Sequence, residues 1–264
     1  MRHIIHRPML SYFLAVMLAA LCCLLCNCGV RYSGEAFKAD TWPQTPAGKM
    51  LQAVLAPNAG VDAIKGLGRV KIRQDGQQDT FRALWIGRQP DQFRLEVLAD
   101  TGQPIVSFAS DGQRFYLLSY SENRLYSRQV SEDSLRRIIS IDMTVADLLN
   151  LLSGRLPLQQ DGYVSLDEGE AAGPMLIVEE KARKRIETIF LDASRDTVRE
   201  FERRERNGDL LFRAVFEKNG ETEGFQLPVS MTIYGDDGAE IQITVERCWV
   251  NPVLTQDQFI LDAS

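Results

Sequence analysis

From Gly68 onward, hydrophobic and polar residues alternate with a period of two. Val70 and Ile72 alternate with Lys71 and Arg73, Phe93, Leu95 and Val97 with Arg94 and Glu96, and Ile241, Ile243 and Val245 with Gln242, Thr244 and Glu246. Successive side chains of a strand point to opposite faces, so this pattern predicts antiparallel strands with one wet face. Six Asx-Gly pairs punctuate the runs: Asp75-Gly76, Asp111-Gly112, Asp161-Gly162, Asn207-Gly208, Asn219-Gly220 and Asp237-Gly238. Both residues of such a pair tolerate the positive φ that two-residue hairpin turns demand. The expectation is a mainly β chain, a curved antiparallel sheet of about ten strands.

Three stretches carry helical spacing instead. Met50, Leu51, Val54 and Leu55 place a short helix within 47–55, stopped by Pro57-Asn58-Ala59-Gly60. Ser131-Glu132-Asp133 opens a second helix running to Ile139. Thr144 caps a third, with Asp147 three residues on and Gly154 as its stop. In the third, Val145, Leu148, Leu149 and Leu152 share one stripe that must cover something apolar. Such a helix either plugs one face of the sheet or forms a lid over a ligand cavity. Between Gly29 and Pro46 no period is sustained, and the stretch reads as a tether.

The N-terminus is patterned as an export signal. Arg2, His3, His6 and Arg7 make a basic start, and Tyr12 to Leu25 are apolar apart from thiols before the chain turns polar at Arg31. The segment ends Leu25-Cys26-Asn27-Cys28-Gly29, which resembles a bacterial lipobox. That resemblance implies diacylglyceryl transfer to Cys28 and cleavage before it. Leu25 and Gly29 fit the pattern, whereas Asn27 stands where a small residue is usual. An uncleaved membrane anchor is the competing reading of Met9 to Cys26. The organisation expected is therefore a signal peptide over 1–27, a lipidated N-terminus and tether over 28–46, and a lipid-binding domain over 47–264.

Cleavage removes much of the available chemistry. His3, His6, Cys22, Cys23 and Cys26 leave with the signal, so no Ser-His-Asp triad, Cys-His pair or imidazole metal site can form. Cys248 is then left with the acylated Cys28 and no free thiol to pair with, and its alternating surroundings point to a buried structural role. Losing Arg2 and Arg7 takes the net charge from −6 to −8, which disfavours nucleic acid and a polybasic membrane patch. Neither a Gly-x-Ser-x-Gly elbow nor a Walker loop is present. The carboxylates of Glu168, Glu170, Glu179, Glu180, Asp236 and Asp237 fall in turns or at strand ends, where solvated charges are expected rather than catalytic acids. No catalytic residue, metal or cofactor is expected.

A strongly curved sheet of this size encloses more volume than its own side chains fill. The inward candidates are Trp85, Phe93, Leu95, Val97, Phe108, Phe115 and Leu117. Each reads by default as plain core, and together they would line a cavity suited to hydrocarbon, with Val145, Leu148, Leu149 and Leu152 above it.

Six short segments, in order, resemble signatures of LolA/LolB-like bacterial envelope proteins, with the LolB-like lipoproteins the best fit. They are Gly68-Arg-Val-Lys-Ile72, Phe81-Arg-Ala-Leu-Trp-Ile86, Pro90-Asp-Gln-Phe-Arg-Leu-Glu-Val97, Gly102-Gln-Pro-Ile-Val-Ser-Phe108, Asp111-Gly-Gln-Arg-Phe-Tyr116 and Leu151-Leu-Ser-Gly-Arg-Leu-Pro157. With a late Phe259-Ile-Leu261 strand, the resemblance spans roughly residues 50 to 262. It implies an incomplete β-barrel with a helical lid around an apolar cavity that receives acyl chains of lipids or lipoproteins. It also implies membrane attachment through acylated Cys28, a periplasmic carrier protein as partner, and an outer-membrane address read from Gly29, the inner membrane being the alternative. Two departures stand out. Soluble carriers of this kind place an Arg directly before the strand-opening Pro to hold the lid, and here Gln89 precedes Pro90, leaving Arg88 as a solvated loop charge. Acceptors present an exposed Leu before the residue matching Gly102, and here the loop tip is Asp100-Thr101. Lipid or lipoprotein handling is the leading expectation, a non-catalytic envelope scaffold or sensor the second, and an enzyme the third.

Overall fold

The computed structural model describes residues 34–38, 41, 43–130, 135–158, 161–169 and 173–262. They form one antiparallel sheet of 14 strands, more than the alternation predicts. The first seven strands are β1 (Glu35–Lys38), β2 (Ala63–Gln74), β3 (Gln77–Arg88), β4 (Gln92–Leu98), β5 (Pro104–Asp111), β6 (Arg114–Ser119) and β7 (Arg124–Gln129). The second seven are β8 (Asp161–Asp167), β9 (Met175–Glu180), β10 (Arg185–Leu191), β11 (Val198–Glu205), β12 (Leu210–Thr222), β13 (Phe225–Tyr234) and β14 (Glu240–Val250). In space β1 is followed by β8 to β14, then by β2 to β7. The long pairing of β14 with β2, from Glu240 opposite Arg73 to Val250 opposite Ile64, joins the two runs. β1 and β7 remain as edges, so the barrel is open.

Four of the six Asx-Gly pairs sit at hairpin turns. Asp75-Gly76 joins β2 to β3 with φ of 52° and 74°, the doubly positive geometry of a type I′ turn. Asp161-Gly162 and Asn219-Gly220 instead lie inside β8 and β12. Gly162 leaves room for the Phe37 ring, which is buried on β1. The β12–β13 turn uses Glu223-Gly224, with φ of 54° and 85°. A Glu in the left-handed region is a residue that pattern reading passes over.

Two expectations are corrected here. The stretch read as tether, 28–46, contains β1, whose Phe37 is buried in the core and whose four residues pair with β8. Phe259-Ile260-Leu261 is not a strand. A 3-10 turn, Gln256–Phe259, leads into extended backbone that crosses the outer face, where Leu261 packs with Ala109, Tyr116 and Leu118.

Three helices complete the described fold: α1 (Pro46–Leu55), α2 (Arg136–Ile139) and α3 (Val145–Leu152). The Thr45 hydroxyl caps α1 by accepting from the Gly48 N–H. For α2, the expected Ser131 start lies outside the described residues. α3 has the expected capping box: the Asp147 N–H donates to the Thr144 hydroxyl, and the Asp147 carboxylate accepts from the Thr144 N–H at 2.8 Å. Gly154 follows its end at φ 66°.

Candidate functional site

α2 and α3 lie over part of the sheet's concave face and leave a cavity of about 200 Å³ beneath them. Every side chain lining it is aliphatic or aromatic. Of the seven sequence candidates, Trp85, Phe93, Leu95, Val97, Phe108 and Leu117 line it. Alternation on β3, β4 and β5 places them on one face, and the registers set Trp85 opposite Leu95 and Leu95 opposite Phe108. Phe115 lies just outside. Its ring stacks on Phe108 at 5.3 Å and lines the two neighbouring pockets.

The helix stripe is divided in the same way. Leu148 and Leu152 face the cavity, while Leu149 is fully buried over Gly87, where no Cβ could fit. Val145 faces an adjoining polar pocket of about 290 Å³. Val70 and Ile72 on β2 and Ile241 and Ile243 on β14 form a further wall. Their alternation was visible in the sequence, but only the β14–β2 pairing brings those distant strands beside β3 and β4.

Trp85 sits over two glycines. Gly66 is its register partner on β2, and an added Cβ there would fall within the indole ring; one on Gly68 would come 3.0 Å from its Cη2. The glycines let the largest side chain of the cavity lie against the sheet rather than across the void.

The cavity opens toward an outer groove of about 490 Å³, and Phe108, Leu117 and Ile138 line both. Leu117 is 38% exposed and Ile138 is 47% exposed, which marks this junction as the mouth. Tyr126 and Arg128 of β7 and Arg137 of α2 line the groove beyond it.

α3 is held by a buried ionic cluster. Arg203 on β11 donates to Asp147 Oδ1 at 2.8 Å, to Glu187 Oε1 on β10 at 2.9 Å and to the Pro157 carbonyl. Its guanidinium also lies over the rings of Phe201 and Phe212, 5.7 and 5.1 Å from their centres. Burial lifts the Glu187 carboxyl to about 7, with Arg203 opposing the rise. Burial also raises Glu180 on β9. Glu179 and Glu180 are both buried, contrary to the solvated role expected of them. At the far end of α3, the Asn58 amide donates to the carbonyls of Gly154 and Gln226, both at 2.7 Å.

Gln89 donates to Asn150 of α3 at 3.2 Å, so the residue standing in place of the expected Arg also reaches the roof. Arg88 is not a solvated loop charge. It donates to Gln92 at 2.6 Å, to the Leu254 carbonyl at 3.1 Å and to Gln256 at 2.7 Å, fastening the C-terminal segment. Asp100 and Thr101 are exposed at the β4–β5 turn and do not line the cavity. Cys248 is half-buried on β14, and burial raises its thiol. Cys28 lies outside the described residues. Among the described residues no cluster of His, Cys, Asp and Glu is placed to hold a metal ion, and no helix is long and apolar enough to cross a membrane.

No family model and no curated protein matches the sequence. Solved structures do match the fold. A LolA superfamily protein from Nitrosomonas europaea superposes with a TM-score of 0.57 at 12% identity, over 82% of this chain and 98% of that one. A putative outer membrane lipoprotein-sorting protein domain from Vibrio parahaemolyticus gives 0.54 at 11%, over 80% and 94%. A DUF1329 family protein from Desulfovibrio piger gives 0.57 at 9%, over 82% and 98%. The chain has a LolA/LolB-like fold: an open, curved antiparallel sheet with a helical roof.

Proposed function

We propose that this protein is a lipid-anchored, periplasm-facing binder of acyl chains, carried on lipids or lipoproteins, that acts without catalysis. The observation that carries the reading is the wholly apolar lining of the cavity under α2 and α3. A hydrocarbon chain offers only area removal and dispersion, and such a lining supplies both. Lipoprotein sorting, named for the Vibrio parahaemolyticus domain, is a role that fits the same cavity. In this reading Cys28 carries the anchor on the periplasmic face of the outer membrane, and a periplasmic carrier delivers cargo to the mouth. Asp100-Thr101 makes the protein a better binder than inserter, because an ionised Asp entering the bilayer costs several kcal/mol.

The test is to extract the full chain from its native membrane and identify co-purified molecules by mass spectrometry. A stoichiometric acyl lipid or acylated peptide is expected, together with a diacylglyceryl group on Cys28 in the intact mass. Protein that purifies without acyl cargo, and takes up none when long-chain lipid is supplied, refutes the reading. The competing scaffold role draws on one feature, the unpaired edge of β7, which could add a strand from a protein partner. A stoichiometric polypeptide and no lipid in the purified material would favour it.

A further inference from the structure

Resting on the acyl-binding reading, we propose that the preferred ligand is a lipid with a phosphate-bearing, anionic headgroup, seated between Arg128 and Arg137 in the outer groove. The cavity fixes where the polar end must lie. An engineered cavity of about 150 Å³ holds benzene, so about 200 Å³ takes roughly eight carbons. A membrane acyl chain is longer than that, and its remaining methylenes and headgroup must emerge past Leu117 and Ile138.

Among the described residues, the charges lining the groove have one sign. Arg128 and Arg137 are the charged residues lining the groove, in a chain whose net charge is −6. Arg128 shares the concave face because it is the register partner of Phe115, and Tyr126 is that of Leu117. Arg124 adds a third cation beside them, its guanidinium 5.1 Å from the Tyr126 ring centre. Arg136, adjacent on α2, is neutralised by Asp142 at 3.3 Å. Among the described residues neither Arg128 nor Arg137 makes a hydrogen bond or ion pair. Two guanidiniums lining one groove, neither engaged by another described residue, match a phosphate, which accepts charge-assisted, bidentate hydrogen bonds from Arg.

The experiment uses the full-length protein held in an amphipathic polymer, with lysolipids brominated on the acyl chain. Bromine reaching the cavity quenches Trp85, and a Trp85→Phe variant supplies the background. Lysophosphatidylglycerol should bind about tenfold more tightly than monoacylglycerol of the same chain, the size expected of a hydrogen-bonded charge. Added salt should shrink the difference. Arg128→Gln with Arg137→Gln should bind both lipids alike, and Arg128→Lys with Arg137→Lys should recover part of the preference. Unaltered melting of the glutamine variant excludes misfolding. Equal binding of the two lipids by the wild-type protein, or a preference that survives in the glutamine variant, overturns the headgroup assignment and leaves acyl binding standing. Failure of every lysolipid to quench Trp85 overturns both. Release of bound lysophosphatidylglycerol by millimolar inorganic phosphate assigns the arginines to a free anion and overturns the lipid assignment.

Discussion

Leu95→Trp tests the cavity where it is narrowest in meaning, because it adds bulk without adding charge. Leu95 lies mid-strand on β4, between Trp85 on β3 and Phe108 on β5, and its side chain lines the void. The exchange adds six heavy atoms. Scaled by the benzene-holding cavity, these occupy about 150 Å³ and leave room for roughly two carbons instead of eight. Losing about six methylene sites at ~0.8 kcal/mol each removes at most about 5 kcal/mol of binding, since chain beyond the mouth still contributes. A weakening of more than a hundredfold is expected. Stability should change by under about 2 kcal/mol, because the new ring enters existing space rather than displacing a packed neighbour. Equilibrium binding of a tritiated long-chain monoacylglycerol, beside a thermal melt, separates the two effects. A folded Leu95→Trp protein that binds lipid as tightly as the wild type shows that the acyl site lies elsewhere.

Gly66→Ala places a methyl group within the Trp85 ring, so the indole must swing into the void; a destabilisation of about 1–3 kcal/mol, blue- or red-shifted Trp emission and weaker lipid binding are expected. An unchanged spectrum with unchanged binding would contradict the stacked arrangement. The Glu187 carboxyl ionises near 7 in the fold and near 4.5 when unfolded, so the folded state holds the extra proton between those values and stability falls as pH rises through that window. The fall is roughly 3 kcal/mol, and in Glu187→Gln the slope of urea-derived stability between pH 5 and 7 should flatten; a slope equal to wild type refutes the assignment. Asp100→Gly with Thr101→Leu should increase co-sedimentation with liposomes while leaving binding of soluble lysolipid alone, and no gain would show that the loop tip does not limit membrane contact.

What the sequence disclosed was periodicity, and periodicity is local. Phe93, Leu95 and Val97 announce a half-buried strand because their neighbours Arg94 and Glu96 are polar, and the structure pairs those two outward at 2.6 Å. The capping box of α3 was legible because Thr144 and Asp147 are three residues apart. Three kinds of feature were not legible. β9 is a continuous run, Met175 to Glu180, whose acidic end reads as solvated, although Glu180 is buried in the field of Arg185, Arg203 and Arg183. The wall of Val70, Ile72, Ile241 and Ile243 depends on a pairing between strands about 170 residues apart. The tight seat of Trp85 depends on Gly66 and Gly68 inside β2, whose role shows only once β2 and β3 are paired.

The two halves of the roof are secured unequally, and this decides how the cavity communicates with solvent. α3 is tied at its start through Asp147 to Arg203, in its middle through Asn150 to Gln89, and at its end through Gly154 to Asn58. Removing one partner of a buried ion pair typically costs about 3–5 kcal/mol, so separating Asp147 from Arg203 is an expensive route to opening. α2 is a single turn. Among the described residues its side-chain hydrogen-bonded ties are the exposed Arg136–Asp142 pair and, just beyond its end, the Ser140 hydroxyl held by Gln74 at 2.6 Å. Exposed pairs contribute about 0–1 kcal/mol. The lower resistance therefore lies between α2 and the β6–β7 hairpin, where Leu117 and Ile138 already meet solvent. On the proposed acyl-binding reading, α3 is thus a fixed wall and α2 the element over the entrance, and the route for a chain and the cationic groove lie at the same end of the cavity.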